Sequence, residues 1–153
     1  MRLEYFAMID RVLEHDANGR SIRCEALVPE QSSIFEGHFP GHPLMPGVLL
    51  IESMAQASGF LALVLNRFTK MPFLAAVHEA KMRSFVAPGT RLEVSATLAH
   101  QGSGYVVTKT RIVSEGKRVC DGELMLRVMA FPDSGFSVMM RERAAGLGII
   151  IDL

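Results

Sequence analysis

Polar and apolar positions alternate over residues 21–28, where Ile22, Cys24, Ala26 and Val28 fall on one side and Arg23 and Glu25 on the other. A period of two marks a strand with one buried face. The same alternation returns at 91–98, with Leu92, Val94, Ala96 and Leu98 set against Arg91, Glu93, Ser95 and Thr97. Turn-forming residues at 16–19, 101–104 and 115–117 punctuate the chain, and the last two separate further strand-like runs at 105–114 and 118–131. Residues 73–86 are less regular and read as one more strand with a bend. Sequential strands joined by short turns predict an antiparallel meander.

One segment breaks the period. Residues 48–67 hold no proline and are rich in Leu, Ala, Met, Glu and Gln, with Pro46 and Gly47 placed as a helix entrance. Apolar residues surround most of this helix, which predicts burial on nearly all sides. Its main polar exceptions, Glu52 and Gln56, lie four apart and so share a face. Before it, residues 29–47 carry Pro29, Pro40, Pro43, Pro46 and three glycines, and read as a loop. One buried helix with about five antiparallel strands predicts an α+β domain with the sheet packed over the helix. That domain spans 1–132. Residues 133–153 change character, mixing Gly, Arg and Met before Ile149, Ile150 and Ile151, and read as a tail that is docked or partly mobile.

Composition narrows the function classes. The chain has 153 residues, enough for one domain, and 16 basic residues balance 16 acidic ones. Zero formal charge leaves no global field to gather nucleic acid or an anionic membrane, and with a mean hydropathy of +0.24 it permits association of subunits. Cys24 and Cys120 are too few for a disulfide framework and have no paired spacing. Glu4 and Asp10 interrupt the opening residues, against a signal peptide, and Glu52 and Gln56 argue against a membrane span at 48–65. The expected setting is the reduced cytoplasm.

The chemistry concentrates between His38 and Glu52. His38 sits in a Gly/Pro-rich loop and a neutral imidazole accepts a proton near pH 7. A carboxyl at Glu52, inside an apolar helix, loses hydration when ionised and so suits proton donation. Gly47, at the helix N-terminus, offers free N–H groups and the positive dipole end to a developing oxyanion. A base, an acid and an oxyanion donor together fit proton abstraction beside a carbonyl followed by loss of a β leaving group. On residue types alone, a loop histidine is more often structural than catalytic, a helical glutamate is more often a surface group, and Gly47 can be a plain helix start. His42 follows His38 by four, but Pro40 and Pro43 make the segment non-helical, so no metal site is expected.

The stretch GHFPGHPLMPGVLLIESMAQASG, residues 37–59, resembles the signature of the 3-hydroxyacyl-[acyl-carrier-protein] dehydratases of the FabZ type, GHFPxxPxMPGVxxxExMAQ, and fills each of its fixed positions. Residues 6–12 are similar to the family's FLLVDRV, and 80–83 and 86–89 to its ARFKRPVxPGD region. The resemblance implies a hotdog fold, a long central helix wrapped by a curved antiparallel sheet, assembled as a homodimer or a trimer of dimers. It implies that His38 is the catalytic base and Glu52 the acid, facing each other across the subunit interface, with the Gly47 N–H polarising a thioester carbonyl. The implied activity is a lyase reaction of lipid or fatty acid biosynthesis, converting a (3R)-3-hydroxyacyl chain on a carrier protein's phosphopantetheine to the trans-2-enoyl thioester, with no metal or organic cofactor. Related dehydratase/isomerases carry Asp where Glu52 stands, so Glu52 favours plain dehydration. Lys81 and Arg83 are candidate contacts for the acidic carrier protein. The family's aromatic hydroxyl, Asp and first Lys are replaced here by Phe73, His78 and Glu79, and with the longer tail this points to a specialised paralogue. Two other readings stay open: a hotdog acyl thioesterase, and a non-catalytic acyl- or carrier-binding protein.

Overall fold

A computed structural model describes residues 1–150. The meander is present, and a sixth strand joins it. The strands β1 (Arg11–His15), β2 (Ser21–Leu27), β3 (Met71–Met82), β4 (Arg91–Gly102), β5 (Tyr105–Ser114) and β6 (Lys117–Met129) form one antiparallel sheet in the order β1-β2-β4-β5-β6-β3. The central helix α2 (Gly47–Leu65) lies against strands β2 to β6. This is the expected hotdog architecture.

The alternating residues explain the packing. On β2, Ile22, Cys24 and Ala26 point inward. Across the ladder, Cys24 pairs with Val94 and Ala26 with Leu92, all buried. The face they make receives Met54, Ala57 and Leu61 of α2, which are at most 1% exposed. Burying one such leucine contributes about 1.5–3 kcal/mol. Helix α2 is long and apolar enough to cross a membrane by length and composition alone; here it is the largely buried axis of the fold, as its apolar pattern predicts. Cys24 and Cys120 are fully buried core residues, and burial raises their thiols to about 12 and about 11.

Register shifts bend the sheet around the helix. They fall on β3 at Leu74/Ala76 and His78/Lys81, on β4 at Leu98/His100, and at Ile112/Val113. The irregularity read at 73–86 is this pair of bulges. The 16–19 turn brings Gly19 against the end of α2: it has φ +70°, and a Cβ there would lie 2.5 Å from Leu65 Cα.

Three elements go beyond the sequence reading. Residues 11–15 form the edge strand β1, which shows only a short, mostly polar pattern because one ladder and little core hold it. The 29–47 loop contains a short helix α1 (Ser33–Gly37), started by Ser32, whose hydroxyl accepts from Ile34 N–H. The 133–153 tail is helical over α3 (Ser134–Gly146), capped by Asp133, whose carboxylate accepts from Phe136 N–H at 2.8 Å. Met140 and Ala144 of α3 and Ile149 beyond it enter the core, and Val12 N–H donates to Leu147 O at 2.7 Å. Residues 151–153, including Ile151, lie outside the described residues.

Candidate active site

The loop between α1 and α2 presents His38. Ser32 and Ser33 are tied to the Glu4 carboxylate, which accepts from Ser32 Oγ at 2.7 Å and Ser33 N–H at 2.9 Å. Those bonds, the Ser32 hydroxyl first, hold the Glu4 carboxyl down at about 2. The chain then turns tightly at Phe39–His42, closed by Phe39 N–H to His42 O at 3.1 Å and His42 N–H to Phe39 O at 2.8 Å. Gly41 takes the left-handed φ of +73° that this turn demands.

His38 is fixed in both position and tautomer. Leu44 N–H donates to His38 O at 2.9 Å, and the ring Nδ1 lies 2.9 Å from Leu44 O. A carbonyl only accepts, so Nδ1 carries the hydrogen and Nε2 of the neutral ring is left with a free lone pair. Phe39 stacks on the ring, centroids 4.2 Å apart, which further restricts its rotation.

Gly47 opens α2 after Pro46, whose ψ of 133° is extended, and no side chain among the described residues caps this terminus. The first-turn amides there are unclaimed by any capping side chain, as an oxyanion donor needs. The end of β3 lies over the same spot: a Cβ on Gly47 would come within 3.4 Å of Met82 Sδ.

Glu52 stands one turn further along, half-buried. Gln56 Nε2 donates to Glu52 Oε1 at 3.0 Å and to Phe6 O at 2.6 Å, while Gln56 Oε1 accepts from Met8 N–H at 3.1 Å. With both ends of the amide engaged by the N-terminal segment, its NH2 group is aimed at the carboxyl. The sequence signalled Gln56 only as a face-sharing neighbour; its orienting role comes from residues 6–8, about fifty positions away.

Glu52 and Gln56 open into a cavity of ≈ 380 Å³ between α2, the start of β3, the end of β6 and α3; neither His38 nor Gly47 lines it. Within the chain, therefore, His38 and Glu52 do not line this cavity together. Met45 and Met54 belong to the core rather than to this cavity. His42 and His78 are exposed. Lys81 is also exposed, whereas Arg83 donates to both oxygens of Asp121, at 2.5 and 3.3 Å.

The FabA-like domain family matches residues 2–123. Among curated relatives, the 3-hydroxyacyl-[acyl-carrier-protein] dehydratase FabZ of Nitratiruptor sp. is 37% identical over 128 residues, covering 78% of this chain and 81% of the relative. The FabZ of Campylobacter fetus is 37% identical over 132 residues, 81% of this chain and 88% of the relative. That of Oenococcus oeni is 34% identical over 122 residues, 79% and 87%. The chain belongs to the FabZ-type dehydratase family.

Solved structures agree on the fold. The dehydratase heterocomplex ApeI:P of Xenorhabdus doucetiae superposes with TM-score 0.64 at 17% identity, over 89% of this chain and 90% of that one. A mutant thioesterase from Pseudomonas aeruginosa reaches 0.63 at 14% identity, over 84% and 85%. At such identities both show the hotdog fold alone. In this FabZ-type chain, the family-matched segment ends before α3, which begins at Ser134.

Proposed function

We propose that the protein dehydrates (3R)-3-hydroxyacyl-[acyl-carrier-protein] to the trans-2-enoyl thioester in fatty acid or lipid biosynthesis, acting in the cytoplasm as a homodimer or a trimer of dimers. The observation that carries this is the pinned imidazole: Leu44 O claims the Nδ1 hydrogen and leaves Nε2 as the base.

In the proposed reaction, His38 Nε2 takes a proton from the carbon beside the thioester carbonyl. The Gly47 N–H stabilises the charge that builds on the carbonyl oxygen. The electron pair then forms the carbon–carbon double bond as the β C–O bond breaks, and Glu52 gives its proton to the departing hydroxyl, which leaves as water. The substrate arrives on phosphopantetheine, and the steps call on no metal or organic cofactor. Lys81 and Arg83 are proposed to meet the acidic carrier protein; with Asp121 holding Arg83, Lys81 is the freer charge.

That Glu52 lines a cavity from which His38 is absent supports a site shared between two copies. The edge of the sheet offers the contact. Among the described residues, strand β3 pairs only with β6, leaving its outer edge open, and it exposes Phe73, Leu74, Val77 and Met82, each at least 40% accessible. An unprotected apolar edge strand is a template for pairing with another chain.

Incubation with 3-hydroxyacyl and trans-2-enoyl thioesters, followed by the ultraviolet absorbance of the conjugated enoyl group, tests the activity. Interconversion is expected. Release of free thiol without interconversion would instead identify a thioesterase, and neither signal a binding protein.

A further inference from the structure

The Glu4 carboxylate stands at one end of a line of hydrogen bonds that finishes on the backbone of His38. Ser32 Oγ–H donates to Glu4 Oε1 at 2.7 Å, and Ser33 gives the same oxygen its amide at 2.9 Å and its hydroxyl at 3.1 Å. Ser32 Oγ in turn accepts from Ile34 N–H at 3.1 Å, and Ile34 O accepts from His38 N–H at 3.1 Å. Ser32 is the N-cap of α1 and His38 its C-cap. The first contact has the length of a charge-assisted O–H···O⁻ bond, the stronger kind. Bonds joined end to end in this way also polarise one another.

Helix α1 has five residues, far short of the ~12–15 that sustain an isolated helix, so contacts from outside hold it. Glu4 is a firm anchor for that purpose. It lies in a single 3₁₀ turn, Leu3–Tyr5, beside Leu3, which is buried. A bridge closes that turn, with Arg2 N–H to Ala7 O at 2.8 Å and Ala7 N–H to Arg2 O at 3.1 Å.

We propose that Glu4 is a positioning residue for the base: by holding the N-cap of α1 it fixes where the chain delivers His38. This rests on the dehydratase reading above, in which His38 takes the proton. The division of labour is clear from the contacts. Leu44 O decides which ring nitrogen is free, whereas Glu4 decides where the backbone that carries the ring stands. Displacing a reacting group by ~1 Å costs up to about 10²-fold in rate, so a slack α1 is felt in the chemical step.

Steady-state kinetics on 3-hydroxyacyl pantetheine thioesters tests this, together with exchange of the His38 amide followed by NMR. Glu4→Leu removes the acceptor and Ser32→Ala removes the next bond. Each should lower kcat about threefold to tenfold with KM within about twofold. Each should also speed His38 amide exchange about tenfold or more, because its partner Ile34 O belongs to the loosened turn. The two changes interrupt one line, so the double variant should fall no more than about twofold below the lower single variant. Ser32→Thr keeps the hydroxyl and should keep kcat within about twofold. Glu14→Gln breaks a carboxylate's 3.2 Å bond to Arg23 on β2 and should change neither kcat nor His38 exchange. A kcat within about twofold of the unmodified value in either single variant overturns the proposal. So does a loss carried by KM alone, a double variant in which the two losses multiply, or unchanged His38 exchange. If Glu4→Leu does not fold, Ser32→Ala set against Ser32→Thr decides by the same readings. In a protein without dehydratase turnover, faster His38 exchange in these variants would uphold the positioning and defeat the proposed reaction. Turnover that the variants leave unaltered would do the reverse.

Discussion

If each site draws its base from one copy and its acid from another, two dead variants should revive each other. The perturbations are His38→Ala and Glu52→Gln. Glu52→Gln keeps the shape of the side chain and an oxygen to accept the 3.0 Å bond from Gln56, so it removes the proton and little else. His38→Ala loses the Nδ1 bond to Leu44 O, worth about 1 kcal/mol, but keeps the backbone bond between the same two residues. Neither change should unfold the protein. Each alone should lower kcat by ~10²–10⁴ through loss of proton transfer. When the two are co-expressed with distinguishable tags, about half of randomly formed dimers are mixed. Each mixed dimer has one site with both groups intact and one with neither. The mixture should therefore recover roughly a quarter of the unmodified activity, some twentyfold or more above either parent. The assay is enoyl thioester absorbance on the mixture and on affinity-purified mixed dimers. Mixed dimers verified by mass and no more active than their parents would refute the shared site.

Other outcomes follow from the same contacts. Gln56→Leu removes the group that aims Glu52, and kcat should fall about tenfold or more with KM nearly unchanged, measured by steady-state kinetics. Glu4 is held at about 2 in the folded chain against an ordinary 4.5. Its folded value lies below its unfolded one, so its contribution to stability is whole above ~4.5 and is lost as pH falls from there through about 2. The difference in urea midpoint between the unmodified protein and Glu4→Gln should therefore close across that window, and a constant difference would disprove the assignment. Leu61→Ala, at a position 1% exposed, should cost ~2–5 kcal/mol in urea unfolding.

Much of the fold was legible because it is written in local periods. Strands β2, β4, β5 and β6 bury alternate residues, and α2 is apolar almost all round, so side-chain pattern and environment coincide. Strand β1 and helix α3 were not legible for the complementary reason. β1 has five residues, mostly polar, and is held by pairing with β2. α3 contains Gly135 and Gly146 within or at the end of a mixed Arg, Met and Ser run, and a helix of 13 residues with such a composition is stabilised by docking rather than by propensity. Its contacts with Val12 and Phe68 link positions separated by more than seventy residues, which no window along the chain reveals.

The candidate site divides in the same way. Residue types and spacing, together with a long family motif, singled out His38, Gly47 and Glu52, because a base in a rigid loop and a carboxyl on an apolar helix are visible one residue at a time. Which nitrogen of His38 is free, what aims Glu52, and which elements line the cavity beside it were decided only by tertiary structure. Each depends on a partner brought from elsewhere: the Leu44 carbonyl across a turn, the Phe6 and Met8 backbone from the N-terminal segment, and Phe136 and Met139 from α3. Hydrogen bonds and cavities belong to pairs of surfaces, and a linear chain specifies such pairs only through the fold that joins them.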